Sequence, residues 1–109
     1  ELTLPLAKPI RYAFCSDTTY KPDIVPLIKN VDLLYHEATF LSDREDLALK
    51  TKHSTAKQAA QIAEEANVKQ LVLGHYSGRY KEVLSFKTEA TEVFKNTDVA
   101  EAGKVFTVN

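Results

Sequence analysis

The stretch VKQLVLGHYSGRY, residues 68–80, decides how this chain is read. Its first half, from Val68 to Gly74, is a short apolar run of strand-forming residues, of the kind found buried in parallel sheets. The run stops at Gly74-His75, and the residues that follow are small, hydroxyl-bearing and basic. A strand leaving a core needs a turn there, but a turn needs no imidazole. The chain has only three histidines. One placed where a strand surfaces points to a ligand or a proton carrier.

The neighbouring segments give that strand its setting. Upstream, Ser54 is in position to cap a helix over TAKQAAQIAEEAN, whose residues Ala56, Ala59, Ala60, Ile62, Ala63 and Ala66 form an apolar stripe of helical period, with Asn67 as its stop. IRYAFC (10–15) and VDLLYH (31–36) are two more apolar strands. Pro22 opens a short helix between them, and Pro26 limits its regularity. EATFLSDREDLALKTK (37–52) has no clean period and is expected to be a loop with a helical turn. Downstream, KEVLSFKTEATEVFKN (81–96) carries Val83, Phe86, Ala90, Val93 and Phe94 roughly on one side and is expected to be a helix. The tail VAEAGKVFTV (99–108) suggests two short strands around Ala102-Gly103. No repeat or linker interrupts the chain, so residues 1–109 are expected to be a single unit. The alternation of strand and helix implies an α/β fold with a mostly parallel sheet, right-handed crossovers and both faces covered.

Composition narrows the function classes. The chain of 109 residues is 44% hydrophobic and 27% charged, with net charge −1, which suits a globular domain. That balance supplies no general attraction to nucleic acid or membrane, so any polyanion would be held by a few placed groups. No apolar stretch approaches the roughly 18 residues needed to span a bilayer. Cys15 is the sole cysteine, so no internal disulfide is possible and a reducing, cytoplasmic compartment is expected. The chain opens on Glu1 rather than Met, which suggests a piece of something longer.

Parallel strands place their carboxyl ends on one edge, where ligands bind in open α/β sheets. The first strand ends at Ser16-Asp17-Thr18, the second at His36-Glu37, the third at Gly74-His75. His53 precedes the long helix and should start near the same edge. Asp17, His36, Glu37, His53 and His75 are therefore expected to converge. Imidazole and carboxylate together suit zinc or manganese, and histidine can carry a proton to a leaving group. The start of the long helix suits a phosphate, and Arg79 offers a forked donor. Plainer readings exist for each residue alone. Asp17 before two threonines is able to close a turn, His36 to be a satisfied core histidine, His53 to be solvated and Arg79 to be a surface charge; Glu64 and Glu65 form a solvated helix face.

The motifs FCSDT, LLYHEATF, KHSTAKQAAQIAEEANVKQLVLGHYSGRY and EVFKNTDVA resemble, in order and spacing, the C-terminal half of ribonuclease Z. That family is the tRNA 3′-processing endonuclease of the metallo-β-lactamase fold. The resemblance runs along essentially the whole chain and implies the C-terminal half of an αβ/βα sandwich. It further implies a zinc-dependent hydrolase that cuts the 3′ trailer from precursor tRNA, with two zinc ions in the complete enzyme. By the same resemblance, Asp17 matches the carboxylate bridging the two metals and His75 a terminal metal ligand. His53 matches the residue that protonates the leaving 3′ oxygen. Glu37, with His36, lies in the HEAT motif that supports it, and Ser77 and Arg79 match a loop close to the substrate phosphate.

Two departures accompany this likeness. Gly78 stands where the family commonly has Ser. The family's His-x-His-x-Asp-His metal motif and a further histidine ligand are absent, as is the arm that grips the tRNA. The expectation is therefore an N-terminal half carried elsewhere, and an isolated chain that is not a competent nuclease and holds little or no metal. The face that would pack on the missing half is expected to drive a homodimer or capture an N-terminal partner. Two alternatives stand beside this reading. A phospho-receiver domain would want an acidic pair at one strand end and a Lys at another, and neither is present. A non-catalytic packing or regulatory module would keep the fold without the chemistry.

Overall fold

The computed structural model describes residues 10–16 and 18–100. Four strands form one sheet: β1 (Tyr12–Cys15), β2 (Leu33–Glu37), β3 (Gln70–Gly74) and β4 (Thr97–Val99). They lie in the order β1-β2-β3-β4, all parallel. The helices are α1 (Glu45–Thr51), α2 (Ala56–Ala66) and α3 (Leu84–Thr91), with short 3-10 segments at Pro22–Leu27 and Ser42–Arg44. In register, Cys15 pairs with His36, and Glu37 with Gly74. The carboxyl ends of β2 and β3 therefore finish level with each other, which is what places the site.

The expected strands are present, each starting two residues later, and the second runs one residue further, to Glu37. The long helix is present too, but its cap is Thr55 and not Ser54. Thr55 Oγ1 accepts from the Gln58 N–H at 3.1 Å while Gln58 Oε1 accepts from the Thr55 N–H at 3.0 Å, a reciprocal capping box. Ser54 is occupied elsewhere, donating its hydroxyl to Thr18 O at 2.6 Å. The helix ends as expected at Asn67, in the left-handed region with φ 53°. Its stripe of Ala56, Ala59, Ala60, Ile62, Ala63 and Ala66 is buried, in one core with Leu34, Leu71 and Leu73 of the sheet. Small alanines let the helix approach the strands closely. Each fully buried Leu is worth roughly 1.5–3 kcal/mol over an exposed one.

Two expectations need correction. The loop over 37–52 holds a seven-residue helix, α1. Only Ala48 in it is buried and Leu49 is 73% exposed, so no apolar stripe announces it. Its charges do, with Glu45 and Asp46 in the first turn and Lys50 in the last, as the helix dipole favours. The last helix is shorter than 81–96. No side chain caps its start, and beyond Thr91 the backbone tightens into bonds three residues apart, with Val93 N–H to Ala90 O at 2.9 Å. Thr97 then opens β4, a parallel partner of β3. The pair of strands expected around Ala102-Gly103 lies outside the described residues.

Among the described residues, the helices cover one face of the sheet, not the two expected. Ala13 and Cys15 of β1 turn toward the helical layer. Tyr12 and Phe14, on the opposite pleat, are 53% and 72% exposed. The described helices pack on the other pleat, against Leu34, Leu71 and Leu73, which leaves these two rings open. Phe14 leans on Tyr35, ring centres 5.9 Å apart. Tyr35 in turn lies across Gly74, where any Cβ would run into its ring.

Candidate active site

The site forms where β2 and β3 end. Glu37 is the last residue of β2 and is fully buried. His75 follows the last residue of β3, with φ 62°. Its neighbour Gly74 accepts the Ala38 N–H at 2.8 Å, which continues the pairing one step past the strands. His53 comes from a different direction. Lys52, left-handed at φ 61°, stops α1, and the His53 N–H returns to Ala48 O at 2.8 Å. A parallel bridge between Phe40 and Thr55 then lays the 53–55 segment beside the one that follows β2.

Glu37 sits at the centre and gathers donors. Oε1 accepts from Thr18 N–H at 2.8 Å and His53 Nδ1–H at 2.7 Å. Oε2 accepts from Thr39 Oγ1–H at 2.7 Å, and from the N–H groups of Thr39 and Ser54, each at 3.2 Å. A carboxylate offers about four lone-pair positions, so this one is filled by the protein itself. Glu37 is built to hold its neighbours in place. With Nδ1–H held by the Glu37 carboxylate, His53 turns Nε2 away from Glu37 as the nitrogen able to take up or release a further proton.

His53 and His75 lie side by side, ring centres 5.3 Å apart and tilted by 32°. Glu37, His53 and His75 each offer a ligand atom, all within 4.8 Å of one another, a spacing able to hold a metal ion. The saturation of Glu37 makes the imidazoles the better donors of that set. His75 Nδ1 contacts Thr39 Oγ1 at 3.0 Å.

The other expected site residues fall as follows. Asp17 lies outside the described residues. His36 is buried but does not join the cluster, because successive residues of a strand point to opposite faces. Its Nδ1 donates to Glu37 O at 2.7 Å, and its Nε2 has no hydrogen-bond partner among the described residues. Burial pushes its imidazole below the ordinary histidine range, opposed by the Glu37 carbonyl and charge. Ser77 donates its N–H to Thr39 O at 2.8 Å, and its Oγ accepts the Arg79 N–H at 3.3 Å. The Arg79 guanidinium lies 6.0 Å from the Phe40 ring centre, and that ring meets His53 edge-on at 6.4 Å. The loop after β3 is thus turned toward the His53 side of the site. Tyr80 fastens it, accepting from Leu41 N–H at 3.1 Å and donating to Asp43 at 2.9 Å.

Sequence reasoning missed Thr18, Thr39 and Ser54 as partners of Glu37. The signal for Thr39 was its place two residues after a carboxylate that closes a strand, where a hydroxyl can reach back to it. Thr18 and Ser54 act through backbone N–H groups, which carry no sequence signal. No helix among the described residues is long and apolar enough to cross a membrane.

Residues 7–76 match the family described as Beta-lactamase superfamily domain. Ribonuclease Z of Porphyromonas gingivalis is 57% identical over 99 residues, covering 91% of this chain and 33% of the relative. Ribonuclease Z of Cytophaga hutchinsonii is 48% identical over 109 residues, covering 100% of this chain and 35% of the relative. The chain thus spans about a third of the length of these curated relatives. Among solved structures, a metallo-β-lactamase fold protein from Bacillus subtilis superposes with a TM-score of 0.78 at 28% identity, over 85% of this chain and 38% of the other. Human tRNase Z, short form, gives a TM-score of 0.61 at 33% identity, over 78% of this chain and 27% of the other.

Proposed function

The chain belongs to the β-lactamase superfamily, and on that premise we propose that it is part of a zinc-dependent endoribonuclease that removes the 3′ trailer from precursor tRNA. The observation that carries the proposal is the Glu37–His53 pair, 2.7 Å apart, beside a second imidazole at a strand end. A buried carboxylate that orients a histidine through Nδ1 is the standard arrangement for a proton carrier. The resemblance to ribonuclease Z supplies the substrate.

His53 is the general acid. A water oxygen bonds to the phosphorus, the phosphorus–oxygen bond to the 3′ oxygen breaks, and that oxygen takes the proton held at His53 Nε2 to become the 3′ hydroxyl, leaving the phosphate on the trailer. Glu37 fixes the ring and balances the imidazolium charge before transfer. His36 acts at one remove, through its hydrogen bond to the Glu37 carbonyl, and is a positioning residue. Ser77 and Arg79 bind the phosphate next to the cut, the guanidinium as a forked donor. His75 and Asp17 are the residues of this chain that would hold zinc, which when bound activates water and neutralises developing charge. Two ligands fall short of the four that zinc takes, so residues 1–109, taken as one unit, are proposed to be inactive without further polypeptide. A cytoplasmic location and a homodimer belong to the same proposal; the exposed Tyr12 and Phe14 are the surface that association would cover.

The test is cleavage of a precursor tRNA by the whole protein with zinc. His53→Ala should lower kcat by about 10²–10⁴-fold with little change in zinc content. A His53→Ala protein that cleaves at the wild-type rate would refute the assignment, and robust cleavage by residues 1–109 alone would refute the incomplete-site account.

A further inference from the structure

We infer that Thr39 is the positioning residue that sets the tautomer of His75, keeping the proton on Nδ1 and presenting Nε2 as its metal-ligand atom. The same hydroxyl steadies the carboxylate that orients His53. This rests on the metallohydrolase reading above.

A threonine hydroxyl has one proton to give and lone pairs to receive with. Thr39 Oγ1 lies 2.7 Å from Glu37 Oε2, an oxygen that in a carboxylate accepts only, so the proton goes there. His75 Nδ1, 3.0 Å from the same Oγ1, must then be the donor. Neutral imidazole carries its proton on one nitrogen, so the lone pair is on Nε2. The direction is enforced from Glu37 outward, through one hydroxyl, to a ring on a different strand. Metal-binding histidines ordinarily have such a partner fixing the nitrogen that does not bind metal.

Thr39 is itself tightly placed. It is nearly buried, its N–H is shared between Ser54 O at 3.0 Å and Glu37 Oε2 at 3.2 Å, and its carbonyl receives the Ser77 N–H at 2.8 Å. The acid dyad, the metal-ligand histidine and the phosphate loop therefore meet on one residue. A methyl group in place of the hydroxyl keeps the shape and removes the link.

The test uses the whole protein, stripped of metal by a chelator and labelled with ¹⁵N at histidine, at a pH where imidazole is neutral. Nitrogen shifts of His75 report which nitrogen is protonated. Wild type and Thr39→Ser should show Nδ1–H, and Thr39→Val should lose that preference. Zinc affinity, measured by competition with a coloured chelator, should fall about 10–100-fold in Thr39→Val and recover in Thr39→Ser. A wild-type His75 protonated at Nε2 overturns the inference, as does a folded Thr39→Val protein with unchanged tautomer and zinc affinity. Should Thr39→Val not fold, the wild-type and Thr39→Ser spectra still decide it. A wild-type protein that takes no zinc and cuts no precursor tRNA would instead sink the metallohydrolase reading, while the proton position on His75 judges the hydrogen-bond assignment separately.

Discussion

Glu37 Oε1 and His53 Nδ1 are 2.7 Å apart, although one residue ends a central strand and the other follows a surface helix. The contact exists because the 39–41 and 53–55 segments run side by side, tied by Thr39 N–H to Ser54 O at 3.0 Å and Ala56 N–H to Phe40 O at 3.0 Å. His53 is thus aimed by the same backbone bonds that launch α2, and on the proposed role of His53 loss of the carboxylate should be felt in both stability and catalysis.

Glu37→Gln tests this. An amide has one oxygen and one NH₂, and all the described groups around Glu37 are donors. The NH₂ must therefore face donors, leaving two or more buried N–H or O–H groups unsatisfied. We expect a loss of about 2–4 kcal/mol in denaturant unfolding and a fall in kcat of about 10²-fold or more in precursor tRNA cleavage. A variant of wild-type stability would mean that the carboxylate is not the hub of these bonds.

Ser54 and Thr55 are neighbours with separate jobs, and single substitutions should separate them. Thr55→Ala removes the capping-box acceptor and should cost about 0.5–2 kcal/mol with kcat nearly unchanged. Ser54→Ala removes the hydroxyl bond to Thr18 O but leaves the helix cap. Thr18 N–H binds the same Glu37 oxygen as His53, so Ser54→Ala should reach the dyad and lower kcat more than Thr55→Ala does. Paired unfolding and kinetic measurements check the order.

That pair of residues also shows what the sequence could and could not tell. Hydroxyls at 54 and 55 both satisfy the rule for a helix cap, and only the competing partner of Ser54 decides between them. The three apolar strands, the alanine stripe of α2 and its Asn67 stop were legible, because each is a local pattern with a period. α1 offered only its end charges, because a helix that buries only Ala48 shows no stripe. In the site, strand-end logic found Glu37 and His75 and the helix start found His53. It wrongly grouped His36 with them, since neighbouring residues on one strand end share an edge but not a face. Thr39, on which three parts of the site converge, escaped notice because its role depends on contacts with residues up to 36 positions away.

His36 gives the pH prediction. Burial lowers its proton affinity in the folded protein, whereas the unfolded chain protonates near the ordinary histidine value of about 6.5. The unfolded state therefore binds more protons below that pH, and folding stability falls as pH drops from about 6.5 toward the depressed folded value. Above pH 6.5 the contribution is fully present. His36→Gln removes the titrating group while keeping a donor for the Glu37 carbonyl. Its unfolding free energy, measured at intervals from pH 8 to pH 5, should decline less steeply than wild type. Equal slopes would show that His36 does not stay neutral when folded.

Gly74 joins the fold to the site, and its replacement should damage one through the other. It is the last residue of β3, its carbonyl holds the Ala38 N–H at 2.8 Å, and it precedes His75, whose φ is 62°. A Cβ at 74 would run into the Tyr35 ring, so Gly74→Ala must push either that ring or the strand end. We expect about 1–3 kcal/mol of destabilisation together with weaker zinc binding, because a shifted strand end carries His75 with it. Shrinking the obstruction should relieve both effects. In the double variant Gly74→Ala/Tyr35→Leu, the loss should be smaller than the sum of the two single losses, as for residues in direct contact. Strict additivity in unfolding experiments would mean that the Tyr35 ring does not set the space at Gly74, and that the strand end is positioned by its backbone bonds alone.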